Sequence, residues 1–460
     1  MLNSPVSKLN VTFALCAGLA LGVLFLQVLP LAGFHPFFLL AVPLMCLLFL
    51  GIAWNTKGMI VLLLFSRVLL DPLLNLTKVD SLGLGFGAVL NLFVLLLTGL
   101  LLLRDPSILG RQRLFVRWFF FLAVCMAAAA YSPFPVKAVK LLFNLASYFA
   151  MLLLPFLVDA RVNDKRFWVK ALAASSVLPV LAADVDLMRG GHMFEGVGAR
   201  VLGTFTHPNI LAFYLVWVVA LVLYLFKSAH FRMNGWQKAG LLVFLADVFV
   251  LLLATKTRNA WISCWLFFFV YGLLKEKKFA VFAVFAAAVA LAVPQIASRT
   301  SDLSSQGGSL NSFAWRVELW KSSLPSIREK WLLGHGLASF QELSRGFFSY
   351  ERTHGADAHN TYVQILFESG LVGLLSYLAL YASLFGVFFN RVRKGFGRLS
   401  AEYAVVLAYL VSYLLSSFAD NMFYYLALNW YFWFFVGVML KATQFHANTN
   451  LRNRPFLQRA

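Results

Sequence analysis

Residues 354–375 read HGADAHNTYVQILFESGLVGLL. Two histidines and an aspartate open the stretch, which then becomes an apolar helix pattern with Glu368 well inside it. Asn360 or Asp357 suits the cap of a helix beginning near 361, because a short polar side chain there accepts from the first free backbone N–H groups. The apolar run continues to about 390, and a crossing of the bilayer needs only ~20 such residues. Its pattern is that of a membrane helix whose mouth carries titratable groups.

The rest of the chain has the same character. Of its 460 residues 61% are hydrophobic and 13% charged, and the mean hydropathy is +0.79. A soluble domain is about half apolar and a quarter charged. Apolar backbone in lipid must satisfy its own hydrogen bonds, so these runs are helices rather than barrel strands, which would be short and alternating. The expected fold is an all-α polytopic integral membrane protein with about 12–14 transmembrane or half-spanning helices. Candidate segments lie near 11–30, 36–54, 58–72, 83–103, 114–131, 138–158, 166–184, 209–226, 238–255, 260–274, 279–294, 361–390, 401–419 and 423–440. The one at 58–72 is short and holds Arg67 and Asp71, which suits a re-entrant or tilted piece. Residue 1 onwards reads as a first span rather than a removed signal peptide. Cys16, Cys46, Cys125 and Cys264 all fall in apolar segments and read as small buried hydrophobes.

The net charge of +20 would suggest nucleic acid in a soluble protein. Here it marks topology, and no nucleic-acid partner is expected. Alternate connections hold Lys57, then Arg104, Arg111 and Arg113, then Arg161, Lys165 and Arg166. The series continues with Lys227, Arg232 and Lys238, then Lys275, Lys277 and Lys278, then Arg391, Arg393, Lys394 and Arg398. By the positive-inside rule these are cytoplasmic, as are both termini. The organisation expected is transmembrane helices with short loops over 1–294, one large external loop over 295–360, C-terminal transmembrane helices over 361–440 and a basic tail over 441–460. Within the large loop, Trp315, Leu319, Trp320, Leu324, Ile327 and Trp331 recur at helical spacing, as in an amphipathic helix at the outer interface.

Three segments, 209–226, 260–274 and 361–390, run from outside to inside on this topology, so their N-termini share the outer face. A helix N-terminus offers free N–H groups and partial positive charge to an anion. The first mouth reads ARVLGTFTHPNILAF, with Arg200 upstream, Thr206 or His207 as a cap, Pro208 in the first turn and Asn209 beside it. The second reads TKTRNAWIS, with Lys256 and Arg258. The third carries His359 and Asn360. Taken singly, each arginine suits an interface anchor and each histidine a solvated loop residue. Taken together, arginines at two mouths and a histidine at a third suit a phosphate-bearing lipid head group with a general base beside it. A metal site on His354, Asp357 and His359 matches no strong ligand spacing, and no metal or cofactor is expected. Glu368 lies nine residues beyond His359, ~13 Å along a helix and roughly opposite around its axis. It is expected to pair with another buried polar group, such as Arg67. Gly370 and Gly373 share one face and suit close helix packing.

RVLGTFTHPNILA, TKTRNAW, and GHG followed by HNTYVQILFESGLVGLL after a long external loop resemble the O-antigen ligase family, in a superfamily that also holds O-antigen polymerases and protein O-glycosyltransferases. The motifs occur in the expected order over roughly the second half of the chain. The resemblance implies about twelve spans and a glycosyltransferase at the periplasmic face of a bacterial inner membrane, using neither nucleotide sugar nor metal. Its donor would be a glycan on undecaprenyl pyrophosphate, and its acceptor a sugar hydroxyl of lipid A–core oligosaccharide. Membrane lipid would surround it. The family's two periplasmic arginines fall on Arg200 and Arg258 and its histidine on His359, while Lys256, Asn360 and Asn209 are neighbours added on physical grounds. The donor's tail would lie in a groove roofed by the stretch Trp315–Trp331. The nearest alternatives are a polymerase or protein O-glycosyltransferase with the same donor. A transporter would instead place its polar residues at the bilayer midplane and show related halves.

Overall fold

The computed structural model describes residues 41–69, 86–158, 164–194, 198–292, 312–395 and 397–452. Within them the chain is helical almost throughout. The α-helices are α1 (Ala41–Leu69), α2 (Phe86–Arg104), α3 (Arg113–Ala130), α4 (Pro135–Leu157), α5 (Lys165–Met188), α6 (Pro208–Lys227), α7 (Gly235–Ala254), α8 (Arg258–Leu274), α9 (Lys277–Ala292), α10 (Ser312–Glu329), α11 (Phe340–Phe347), α12 (Thr361–Lys394), α13 (Gly397–Ser416) and α14 (Leu426–Arg452). Eight helices among the described residues are long and apolar enough to cross a membrane, and α8 and the apolar part of α14 are shorter apolar helices. The chain is a multi-pass, all-α membrane protein. The candidate span at 11–30 lies outside the described residues, as does Cys16; Cys125 and Cys264 are buried free thiols.

Within the described residues, the sequence segments at 36–54 and 58–72 are two helices that meet at a break, Asn55 (φ −152°, ψ 89°), as the sequence divides them; α1 denotes the pair. The Asn55 side chain accepts from the backbone N–H of Gly58 at 3.0 Å and so restarts the helix.

The chain divides into two compact units. One comprises 1–109, 143–211 and 427–460. In it α1 packs on α2 and α5. Tyr431 of α14 bonds to the Leu64 carbonyl at 2.9 Å and to Ser175 Oγ at 2.8 Å, and Trp430 Nε1 donates to Ser147 Oγ at 2.8 Å. Arg67 lies over the Trp430 ring, 5.7 Å from its centroid. The connection at 185–208 carries a feature absent from the sequence reading, a hairpin of two three-residue strands, β1 (His192–Phe194) and β2 (Gly198–Arg200), with His192 opposite Arg200.

The other unit comprises 110–142 and 212–426. Its centre is α12, which packs on α3 and α13, while α8 packs on α13, α9 and α7. Buried aromatics knit the interior, among them Phe121, Tyr377, Phe423, Tyr381 and Tyr413. Residues 312–369 build a small core of their own. Leu319 and Ile327 of α10 meet Phe340, Phe348, Ala356, Ala358 and Phe367, with Trp315 packed against them. The helix read from the sequence spans Ser312–Glu329, and its Trp315, Leu319 and Ile327 cover this core, whereas Leu324 is exposed and Trp331 lies beyond the helix end.

The helix read as continuous over 361–390 is broken. Gly370 has φ +66° and ψ −167°, a conformation essentially closed to residues with a Cβ. The segment 331–336 plugs the break. His335 N–H donates to the Phe367 carbonyl and Gly336 N–H to the Glu368 carbonyl, each at 2.9 Å. Beyond the break, Leu371 N–H donates to the Trp331 carbonyl at 2.8 Å and Val372 N–H to the Leu332 carbonyl at 3.3 Å. Carbonyls ending one half-helix and N–H groups starting the next are thus satisfied by a loop, as buried backbone requires. A Cβ on Gly370 would stand 2.2 Å from the Leu332 oxygen. The glycine's close approach is to this loop, not to the face of a neighbouring helix as its spacing from Gly373 suggested.

Candidate active site

The α12 mouth is built from three directions. Asn360 caps the helix, its Oδ1 accepting from the N–H groups of Tyr362 at 3.0 Å and Val363 at 3.1 Å. Of the two caps left open by the sequence, the structure selects Asn360. The loop before it is pinned at alternate residues. Ala356 N–H donates to Ser344 Oγ of α11 at 2.7 Å, Ala358 N–H donates to Gln364 Oε1 at 3.1 Å, and Trp320 Nε1 of α10 donates to the Ala358 carbonyl at 2.7 Å. His359 stands between the pinned Ala358 and the cap, in a left-handed conformation with φ +46°. Its ring sits edge-on to Trp315, centroids 5.8 Å apart. A non-glycine residue is held this way only where surrounding contacts over-determine it.

Lys256 is a second such residue, with φ +52°. It forms the tight turn between α7 and α8, its N–H donating to the Leu253 carbonyl at 3.0 Å. Arg258 follows as the first residue of α8 and is exposed, while Thr257 makes no side-chain cap hydrogen bond. The mouths of α8 and α12 are tied to one another through α13. Asn259 Nδ2 donates to the Ser416 carbonyl at 3.2 Å, and Thr361 N–H donates to the next carbonyl, Ser417, at 2.9 Å. Two helix N-termini, with Arg258 on one and His359 beside the other, therefore meet at the C-terminal end of α13, which the sequence could not show.

The connection between α13 and α14 supplies residues that the sequence reading passed over. The Thr361 hydroxyl lies 3.4 Å from both the Asp420 carbonyl and Asn421 Oδ1, and Asn421 Nδ2 donates to Gln364 Oε1 at 3.2 Å. Asp420 accepts from the Tyr425 hydroxyl at 2.7 Å. The signal was an Asp-Asn pair inside the otherwise apolar SSFADNMFYY, residues 416–425. Burial pushes the Asp357 carboxyl up, the neighbouring Asp420 adds to the rise, and Lys137 partly opposes it. Lys137 itself is ion-paired with Glu342 of α11.

Glu368 belongs to the same interior and is 2% exposed. Its carboxylate accepts from the Gln364 side chain, from Phe340 N–H at 3.4 Å and from the Tyr424 hydroxyl at 3.4 Å. Its partners thus come from α11, from α12 and from the turn before α14, whereas Arg67 sits on α1 over Trp430. The residue ties the small core of 312–369 to α12. His354 is exposed on the loop surface, and among the described residues no three His, Cys, Asp or Glu side chains are grouped to hold a metal ion.

Arg200 and Asn209 belong to the other unit and are brought together there. Arg200 Nη2 donates to Asn209 Oδ1 at 2.9 Å, and the guanidinium lies 5.3 Å from the centroid of the Phe194 ring across the hairpin. His207, rather than Thr206, caps α6, with Nδ1 accepting the Asn209 N–H at 3.1 Å. That bond requires the ring proton on Nε2. Asp186 anchors the intervening loop, accepting from Leu202 N–H at 2.7 Å and Gly203 N–H at 3.1 Å.

Removing the α12 cap is expected to be mild. Asn360→Ala should cost about 1 kcal/mol, read as a small drop in the thermal midpoint of the purified protein. A drop of the size expected for a buried core residue would mean that Asn360 does more than cap.

These features define a polytopic helical membrane protein with cationic and imidazole side chains gathered at helix mouths. Residues 240–378, which hold α8, the small core of 312–369 and the α12 mouth, match the O-antigen ligase family. The chain is also 37% identical over 75 residues to the O-antigen ligase of Pseudomonas aeruginosa, a stretch covering 16% of this chain and 17% of that relative's length. The chain resembles the O-antigen ligase family.

Proposed function

We propose that the protein is an O-antigen ligase, a glycosyltransferase that moves a glycan from undecaprenyl pyrophosphate to a sugar hydroxyl of lipid A–core oligosaccharide. It would act at the periplasmic face of the bacterial inner membrane, with both chain termini cytoplasmic. The observation that carries this reading is the joining of the α8 and α12 mouths on the Ser416 and Ser417 carbonyls, which sets an exposed arginine and a rigidly held histidine at one end of one helix cluster.

In this reading His359 removes the proton from the acceptor hydroxyl. The acceptor oxygen attacks the anomeric carbon of the donor from the face opposite the leaving group. The bond between that carbon and the phosphate oxygen breaks, and its electron pair leaves with the lipid pyrophosphate. The anomeric centre is inverted, and a single displacement needs one base rather than a carboxylate pair. Arg258, with Lys256 beside it and the α8 N–H groups behind it, stabilises the charge that grows on the leaving pyrophosphate. Arg200 is assigned a second donor contact because Asn209 and Phe194 already orient its guanidinium, and a planar fork binds phosphate oxygens in pairs. Asn209 and Asn360 support their helix mouths.

The direct test is reconstitution in liposomes with a pyrophosphate-linked glycan and rough lipopolysaccharide, with chelator present. Transfer to the lipopolysaccharide is expected. Extension of a second lipid-linked glycan instead would identify a polymerase, and loss of transfer on chelation would overturn the metal-free chemistry. Arg258→Ala and Arg200→Ala should each weaken donor binding by about 10-fold or more, as loss of a charge-assisted hydrogen bond of ~1.5–3 kcal/mol implies. Unchanged donor affinity in either variant would remove that arginine from the site.

A further inference from the structure

Along α10, exposed charged side chains alternate with single exposed apolar ones such as Leu324, and the turn that follows it carries a consecutive exposed apolar run. Lys321, Arg328, Glu329 and Lys330 are exposed and charged. The next three residues, Trp331, Leu332 and Leu333, are 55%, 45% and 56% exposed. Large apolar side chains at this exposure are unfavourable in water, yet their backbones are firmly held. The carbonyls of Trp331 and Leu332 accept from Leu371 and Val372, and that of Leu333 accepts from the Tyr131 hydroxyl, just beyond the end of α3.

Those bonds fix the depth of the three residues. From Leu371 to Phe389, before the basic Arg391–Lys394 end, α12 runs for ~28 Å at 1.5 Å per residue, close to the ~30 Å hydrocarbon thickness of a bilayer. The break at Gly370 therefore falls at one hydrocarbon boundary. α3, a candidate span ending at Ala130, sets Tyr131 at the same boundary, where aromatic residues with one polar end are favoured.

We infer that Trp331, Leu332 and Leu333 are an interfacial foot, seated in the edge of the lipid leaflet on the side of the α12 mouth, with Arg328 and Lys330 at the level of the lipid phosphates. The bilayer is the partner that covers this surface, and the step from the charged Arg328–Lys330 to the consecutive apolar run Trp331–Leu333 marks its boundary. The foot has a mechanical consequence. The half-helix Thr361–Ser369, its cap and His359 stand beyond the hydrocarbon, up to ~13 Å farther along the axis. Because 331–336 is hydrogen-bonded into the helix break, the foot and the helix share one footing, and the height of His359 over the membrane is set by both.

The test needs no activity. In the full-length protein with its four cysteines replaced by alanine, Leu332→Cys and Leu333→Cys would each carry a nitroxide, with Ser349→Cys, exposed on the small core of 312–369, as the aqueous reference. In nanodiscs of phosphatidylethanolamine and phosphatidylglycerol, power saturation should show the labels at 332 and 333 relaxed by oxygen and shielded from a water-soluble nickel chelate. The label at 349 should show the reverse. Nickel access at 332 and 333 equal to that at 349 would overturn the inference. So would shielding from both reagents, which would place the two residues against protein rather than lipid.

Discussion

His359→Ala should lower glycan transfer in proteoliposomes by at least ~100-fold, the lower end of what a positioned general base contributes, while donor affinity changes by less than a few fold. The division follows from the geometry. The histidine is held by its neighbours, not by a ligand: Ala358 is fixed on both sides by Trp320 and Gln364, Asn360 is fixed as a cap, and the ring lies against Trp315. Removing the imidazole leaves those bonds in place, so the α12 mouth keeps its shape. Arg258, assigned to the leaving group, sits on a different helix and loses nothing. Initial rates and donor titrations on the same preparation would check both parts. Turnover near that of the unaltered protein would sink the base assignment, and donor affinity falling in step with rate would move His359 from proton transfer to donor binding.

Gly370→Ala should destabilise the protein strongly, because it acts both on the glycine's backbone and on the loop that fills the helix break. A side chain is admitted at φ +66°, ψ −167° only at a cost of about 1–3 kcal/mol. The added Cβ would also meet the Leu332 oxygen at 2.2 Å. The loop 331–336 must then withdraw, and the N–H groups of Leu371 and Val372 and the carbonyls of Phe367 and Glu368 lose their partners. Each buried polar group so stranded costs ~1–3 kcal/mol, so the total exceeds about 3 kcal/mol. The readouts are a lowered thermal midpoint and rapid protease cleavage within 312–360, with the membrane helices left intact. Wild-type protease resistance in this variant would mean that the helix closes over the break without strain.

Most of the helix pattern was legible because hydropathy is a sum over neighbours in the chain. Pro208 opening α6, and a short polar cap opening α12 at Asp357 or Asn360, follow from local rules alone. The break at Asn55 was legible as the gap between two apolar segments, whereas the hairpin at 192–200 escaped, since three-residue strands leave almost no periodic trace. The break in α12 escaped for another reason. Glycine is tolerated in membrane helices, so Gly370 looked like a packing residue until the loop that fills its gap was seen.

The sequence by itself determined that this is a polytopic helical membrane protein and that Arg200, Lys256, Arg258 and His359 stand at or near helix mouths, because both conclusions depend only on nearest neighbours along the chain. Only the tertiary structure decided that the α8 and α12 mouths share the end of α13, that Glu368 binds Gln364, Phe340 and Tyr424, and that the 331–336 loop completes a broken helix. Those contacts join residues tens to hundreds of positions apart, and hydrogen-bond satisfaction in a dry interior, rather than local propensity, chooses among them.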